Sequence, residues 1–323
     1  MKAAVYERYG LPDVVRITDV EKPVPRDDEV LIRIRATTVT SADSRVRSFT
    51  MPAGFGPFAR LMFGITRPRQ PILGTELAGE IEAIGRAVTR FKVGDRVFAT
   101  SGVAMGCHAE YRCLPEDGTV AFKPPDLTWE EAAALSFGGT TALHFLRRGR
   151  LGRGEKVLVN GASGCVGTAV VQLARYFGAE VTGVCSAANA ELVRSLGATH
   201  VIDYTKEDFT RNGETYDMIV DTAGTAPFSR CRHSLATGGR LLMVLAGLPA
   251  MLQMPWAAMS GGKRLIVGTA EERVADLVFL AELARTGRYR PVIDRCYPFE
   301  RIVEAHRYVD TGRKRGSVAI TLQ

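Results

Sequence analysis

The chain has 323 residues, more than a single hydrophobic core usually serves, so two domains are expected. With 46% hydrophobic and 24% charged residues it has an ordinary globular composition and needs no disulfide staples to bury a core. The formal charge of +7 is scattered and lacks interleaved aromatics, so it gives no reason to expect a nucleic-acid partner.

The N-terminal MKAAVYERYGLPD has charges that break any apolar run, and it does not read as a secretory signal. The first third is β-rich. Val30–Arg35 alternates apolar and charged residues as a half-buried strand does, Leu77–Ile84 keeps that character, and Val93–Phe98 supplies a turn and another strand. Gly10, Pro12, Pro23, Pro25, Gly85 and Gly94 punctuate the region, which predicts a small barrel-like domain. Between Ser48 and Gln70 runs an irregular apolar segment, FTMPAGFGPFARLMFGITRPRQ. Such a segment inside a compact domain is either a lid or pocket wall, or an interface or packing loop.

From Trp129 the rhythm changes. The pattern predicts a helix over Glu130–Arg148, a strand at Lys156–Asn160, a glycine turn, and a helix to about Phe177. Strands follow at Val181–Val184, His200–Asp203, Met218–Asp221, Leu241–Leu245 and Leu265–Val267, with a helix through Ala190–Leu196. Strands alternating with helices imply a parallel sheet covered on both faces. Leu241–Met259 carries no charge, but Gly247, Pro249, Gln253 and Pro255 interrupt it, so core plus a pocket loop is expected and not a membrane span. Glu271–Arg285 reads as a helix with Val274, Leu277, Val278 and Ala281 on one face, and the tail from Tyr297 to Leu322 can complete the first domain. The six cysteines, at positions 107, 113, 165, 185, 231 and 296, are irregularly spaced, as reduced thiols of a cytoplasmic protein are. His144, His200, His233 and His306 are isolated and read as structural or surface residues.

The strongest local signal is VLVNGASGCVGT at Val157–Thr168, an apolar strand running into a glycine turn and then a helix. Gly164 lets the backbone approach a diphosphate and Gly167 lets the helix pack on the strand, while Gly161, Ala162, Ser163, Cys165 and Val166 complete the cradle. Ala162, Gly164 and Gly167 also fit the dinucleotide fingerprint with Ala in first place. Cys165 stands at the helix start, where its thiol either packs as a small side chain or is open to alkylation that cofactor blocks. About 20 residues past the turn an NAD enzyme carries an acid for the ribose hydroxyl. Here the sequence reads VCSAAN at Val184–Asn189, with no carboxylate. Ser186 either donates a hydrogen bond to the 2′-phosphate of NADP or caps the next helix, while Ala187 and Ala188 are neutral. NADPH is favoured, with NADH as the alternative.

These segments, together with GTELAGEIEAIG at Gly74–Gly85, FKVGDRVFA at Phe91–Ala99, HAEY at His108–Tyr111, LVRSLGATHVIDY and AHRYVDTGRKRGSVAI, resemble the medium-chain dehydrogenase/reductase superfamily in its quinone oxidoreductase branch. The resemblance runs over nearly the whole chain. It implies an α/β protein with a GroES-like β-rich catalytic domain at 1–124 and 270–323 and a doubly wound parallel-sheet Rossmann domain at 125–269. It also implies a homodimer, for which Leu265–Val267 is the candidate edge strand. Thr40 and Thr141 are expected near the nicotinamide, and Tyr204 near the adenosine phosphate. Asn189 stands where many NADPH-using relatives have Lys. Ala223, Gly224, Ala246 and Gly247 are expected at the strand ends on the nicotinamide side. Motif matching puts Thr40, Thr75 and about Phe137 at the catalytic zinc-ligand positions of the alcohol dehydrogenases. Threonine is a poor zinc ligand and Phe none, and the four-cysteine structural loop is absent, so no zinc is expected.

Without a metal to polarise a carbonyl, the resemblance points to NADPH-dependent hydride delivery to a quinone or α,β-unsaturated carbonyl, a small apolar electrophile. Thr40, Ser41 and Arg45 are the candidates for a hydrogen bond to the developing oxyanion, each balanced against simple turn or surface placement. Phe49, Phe55, Met251 and Trp256 are candidate walls of an apolar acceptor pocket, balanced against core packing. Two alternatives stand beside this reading. One is a ketone reductase or alcohol dehydrogenase; the other is a non-catalytic dinucleotide-binding sensor or adaptor on the same fold.

Overall fold

The structure, a computed structural model, describes residues 1–322. The described residues divide into two compact units, 1–51 with 57–137 and 272–322, and 52–56 with 138–271.

In chain order the elements are β1 (Lys2–Tyr6), β2 (Val15–Asp19), β3 (Glu29–Val39), α1 (Ser41–Ser48), α2 (Gly56–Phe63), β4 (Glu76–Ile84), β5 (Arg96–Thr100), β6 (Tyr111–Pro115) and β7 (Val120–Phe122). Then come α3 (Trp129–Ala133), α4 (Ser136–Arg148), β8 (Lys156–Asn160), α5 (Cys165–Tyr176), β9 (Glu180–Cys185), α6 (Ala190–Ser195), β10 (His200–Asp203), β11 (Tyr216–Asp221), α7 (Phe228–Cys231) and β12 (Leu235–Met243). The last are α8 (Leu248–Leu252), α9 (Met254–Met259), β13 (Arg264–Val267), α10 (Val274–Arg285), β14 (Ile293–Pro298), α11 (Ile302–Asp310) and β15 (Ser317–Thr321).

In the first unit the sheet order is β14-β15-β3-β4-β5-β7, with β6 also on β3. The C-terminal strand β15 pairs antiparallel with β3, so both ends of the chain build this unit. Alternate residues Val30, Ile32 and Ile34 of β3 face the core with Leu77, Ile81, Val97, Val318 and Ile320, the period of two that a one-sided sheet requires.

The second unit holds six parallel strands in the order β10-β9-β8-β11-β12-β13. Counted along the chain this is 3-2-1-4-5-6, the doubly wound dinucleotide-binding order, whose ligand crevice lies beyond the strand C-termini where the order reverses. That reversal falls between β8 and β11. Leu158, Ile219 and Leu241 on one face and Val159, Val220 and Leu242 on the other are fully buried, as strands covered on both faces must be.

Three segments differ from the sequence pattern. The helix expected over Glu130–Arg148 is broken into α3 and α4. A capping box between Thr128 and Glu131 starts α3, and the Phe137 amide of the first turn of α4 is given to the Glu76 carboxylate. Helix α10 begins at Val274 rather than Glu271, because Glu271 offers its amide to His144 Nδ1 and Glu272 accepts from the Thr100 hydroxyl. The segment 48–70, expected to be irregular, contains the eight-residue helix α2.

Candidate functional site

The apolar strand β8 delivers the chain to Gly161, whose φ of +81° is a conformation that disfavours any side chain. The amides of Gly161 and Ala162 both donate to the Val184 carbonyl, at 3.1 and 3.0 Å, which pins the turn to β9. Helix α5 then starts behind Gly164, an N-cap without a side chain to satisfy the first-turn amides. A Cβ on Gly164 would meet nothing closer than the Gly161 carbonyl oxygen at 3.5 Å, so this stretch of backbone lies open to a ligand. A Cβ on Gly167 would lie 2.0 Å from that same oxygen, which makes Gly167 the condition for α5 to pack this close. The arrangement fits a diphosphate: open backbone, an uncapped helix start and its partial positive charge. Gly138 packs so closely on Cys165 that a Cβ there would be 2.9 Å from its Sγ, which brings Thr141, buried one turn further along α4, to the same end of the sheet.

Beside the turn, at the strand-order reversal, lies a pair that the sequence reading overlooked. Asn160, the last residue of β8, donates from Nδ2 to Asp221 Oδ1 at 2.9 Å and to Thr225 Oγ1 at 2.9 Å. Asp221, the last residue of β11 and fully buried, accepts from the amides of Ala223 (3.2 Å), Gly224 (3.0 Å) and Ala226 (2.9 Å). One carboxylate thus shapes the 222–226 loop, including the expected site residues Ala223 and Gly224. An acid closing an apolar strand in VDTAG was the available signal, since Asp side chains satisfy backbone amides just downstream. Ala246 packs on the core of this unit, and Gly247 caps α8 against Ala53, whose carbonyl oxygen a Cβ there would meet at 2.6 Å.

The residues expected on the adenosine side come together too. Asn189 Nδ2 donates to Ser163 Oγ at 3.1 Å, tying the segment after β9 to the glycine turn, and Asn189 Oδ1 is buried without a partner. Ser186 occupies an N-cap position but its side chain makes no capping bond, so its hydroxyl is not spent on the helix. The Tyr204 amide donates to the Cys185 carbonyl at 3.2 Å, next to Ser186, while its side chain is 64% exposed.

In the first unit, Thr40 caps α1 by accepting from the Asp43 amide at 3.2 Å, and its own hydroxyl donates to Asp43 Oδ2 at 2.6 Å. Asp43 Oδ1 accepts from the Gly74 amide at 2.8 Å, joining Thr40 to the neighbourhood of Thr75, whose buried hydroxyl has no partner. Glu76 accepts from the Thr38 hydroxyl and, at 2.6 Å, from the Phe137 amide. Burial pushes its pKa up to about 7, opposed by those two hydrogen bonds. Two of the three motif-matched metal positions are therefore tied to buried acids that are already engaged, Thr40 to Asp43 and Phe137 to Glu76. Two threonines and a phenylalanine do not fit zinc, and among the described residues no cluster of His, Cys, Asp or Glu could hold a metal ion. Asp43 and Glu76 are not legible in the sequence, because Gly74, Thr38 and Phe137, which engage them, are brought to them only by folding.

Ser41 opens α1, and Arg45 lies half-buried one turn on. Burial lowers the pKa of Arg45 with no carboxylate acting against it. Phe49 does not stand open. Its ring lies 4.8 Å from that of Tyr9 and 3.7 Å from the Arg60 guanidinium. In the second unit, the Leu248 amide donates to the Ala53 carbonyl at 2.9 Å, which sets the segment bearing Phe55 against α8, where Met251 packs on the core. Trp256, on α9, is 69% exposed.

The strand order and the glycine turn define a dinucleotide-binding oxidoreductase architecture. Two family models match, an alcohol dehydrogenase GroES-like domain over residues 26–125 and a zinc-binding dehydrogenase over residues 196–320. The chain is 30% identical to a chloroplastic quinone-oxidoreductase homolog of Spinacia oleracea, over 99% of this chain and 98% of that one. It is 31% identical to a chloroplastic NADPH-dependent alkenal/one oxidoreductase of Arabidopsis thaliana, over 99% of this chain and 79% of the relative. A mycobacterial protein solved in complex with NADPH superposes with a TM-score of 0.83 at 26% identity, covering 99% of this chain and 100% of the other. The chain belongs to the medium-chain dehydrogenase/reductase superfamily, in its quinone oxidoreductase-like branch.

Proposed function

We propose that the protein is an NADPH-dependent, zinc-independent reductase of quinones or α,β-unsaturated carbonyls. The observation that carries this reading is the glycine turn with the Asn160–Asp221 pair at the strand-order reversal, joined to a donor set in the first unit that does not suit zinc. The names of the Spinacia and Arabidopsis relatives agree with both acceptor classes.

In this reading the backbone of Gly161–Gly167 grips the diphosphate, with Gly164 as the point of close approach. Ser186, Asn189 and Tyr204 receive the 2′-phosphate, supported by the absence of a carboxylate at the end of β9, by the relative named for NADPH and by the mycobacterial NADPH complex. Asp221 holds the backbone of Ala223 and Gly224, which with Thr141, Ala246 and Gly247 serve the nicotinamide side in this reading. When bound, the reduced nicotinamide supplies the hydride. Thr40 is held in one orientation by Asp43, and Arg45 offers a half-buried positive charge to an oxygen that gains negative charge. Phe55, Met251 and Trp256 supply apolar surface for the acceptor; Phe49 contributes through its stack with Tyr9 and Arg60.

The test is a purified-protein assay with NADPH or NADH and a panel of quinones, enones, simple ketones and alcohols, run before and after chelator dialysis. Turnover of quinones or enones with NADPH that survives dialysis is expected. Activity confined to alcohols or ketones, loss of activity with the metal, or NADPH binding without any turnover would each replace this reading with one of its rivals.

A further inference from the structure

Helix α2 turns apolar side chains outward. Its inner face is held by Ala59, which is buried, and by Phe63, which packs on the core of the first unit. The other side carries Phe58, Leu61 and Met62, spaced i, i+3 and i+4, with exposures of 61%, 62% and 38%, and Ile65 follows at 66%. The turn after the helix is fixed. Gly64 has a φ of +120°, and a Cβ there would lie 2.0 Å from the Arg67 carbonyl oxygen. The Arg69 amide donates to the Phe63 carbonyl at 2.8 Å, and the Tyr9 hydroxyl donates to the Gly64 carbonyl at 2.8 Å. This return sets the exposed Arg67 and Arg69 beside Ile65, at the end of the apolar face.

Charge completes the picture. Between Asp43 and Glu76 the chain has arginines at 45, 47, 60, 67 and 69 and no Asp or Glu. Arg47 is buried, Arg45 is half-buried and Arg60 lies over the Phe49 ring, which leaves Arg67 and Arg69 as the exposed charges of this segment. An apolar helix face in a segment whose exposed charges are all cationic is the composition of an element that lies in the interface of an anionic membrane. We propose that α2 and the Arg67–Arg69 return dock this protein on an anionic lipid surface. Phe58, Leu61, Met62 and Ile65 enter the acyl boundary, and the two arginines meet the headgroups. The docking does not depend on the reductase reading.

The experiment is flotation of the full chain with vesicles of phosphatidylcholine alone and of equal parts phosphatidylcholine and phosphatidylglycerol, at low and high salt, with sedimentation velocity run without lipid. Flotation with the anionic vesicles, weakened by salt, is expected. Phe58→Glu with Leu61→Glu should lower partitioning by at least about tenfold, and Arg67→Glu with Arg69→Glu by about tenfold or more. Both pairs should keep the melting temperature and the turnover of a water-soluble quinone; the arginine pair, being exposed, tests the proposal even where the apolar pair fails to fold. The proposal is overturned by a wild-type chain that stays unbound to anionic vesicles at low salt, or by folded variants that float as well as wild type. It is equally overturned where the apolar pair splits a wild-type dimer and no vesicle binding is seen, which assigns the face to a second copy of the chain.

Discussion

The glycine turn of the second unit and the Thr40–Glu76 cluster of the first present polar groups by different means. The turn works through backbone amides and the absence of Cβ atoms, within seven consecutive residues, Gly161–Gly167. The cluster works through side chains of β3, α1 and β4 and the residue before α1, with one backbone amide from the start of α4, brought together only by folding. The difference teaches where each is vulnerable. The turn is indifferent to most side chains and intolerant of added volume at one position, whereas the cluster depends on the charge and protonation of one buried acid.

The sharpest way to break this contrast is Gly167→Val. The added side chain meets the Gly161 carbonyl, so α5 must move away from the turn. NADPH affinity should fall by about a thousandfold or more, equivalent to ~4 kcal/mol, read by quenching of protein fluorescence on titration. Binding within tenfold of wild type would mean that the turn is not what grips the cofactor. Next in size is Asp221→Ala, which leaves the amides of Ala223, Gly224 and Ala226 and the Asn160 side chain without their acceptor. A stability loss of about 3 kcal/mol in urea unfolding and a raised KM for NADPH are expected. An unchanged KM would confine Asp221 to folding.

Glu76→Gln tests the other region. In the folded chain burial holds the Glu76 carboxyl's pKa at about 7, above its ordinary value of 4.5, so the folded state keeps a proton that the unfolded state releases. The contribution of this group to stability is therefore complete below about pH 4.5 and is lost as pH rises to about 7. The melting-temperature difference between Glu76→Gln and wild type should drift in favour of the variant across that window and stay level outside it. A flat difference throughout would mean that Glu76 is ionised in the fold. The smallest effect is expected from Asn189→Lys, which adds a cation beside Ser163 and Ser186 and should raise the preference for NADPH over NADH about fivefold. No change in that ratio would move the 2′-phosphate site away from Asn189.

The residues themselves determined what lies within one or two turns of chain. Alternation in Val30–Arg35, the strand–turn–helix at Val157–Thr168 and the helix–strand rhythm after Trp129 each express a backbone period or a steric requirement, and β3, the glycine turn and the parallel sheet follow them. The missing acid after β9 was equally local.

Tertiary structure alone decided what depends on partners far along the chain. The break between α3 and α4 exists because Glu76, some sixty residues earlier, takes the Phe137 amide, and no helical pattern encodes that. That the Phe49 ring stacks on Tyr9 and under Arg60 is likewise a product of folding. Asp221 looked like the end of a strand until folding placed Asn160 beside it. Short-range sterics and periodicity are written in adjacent residues; desolvation and hydrogen-bond satisfaction are properties of neighbours that only the folded chain selects.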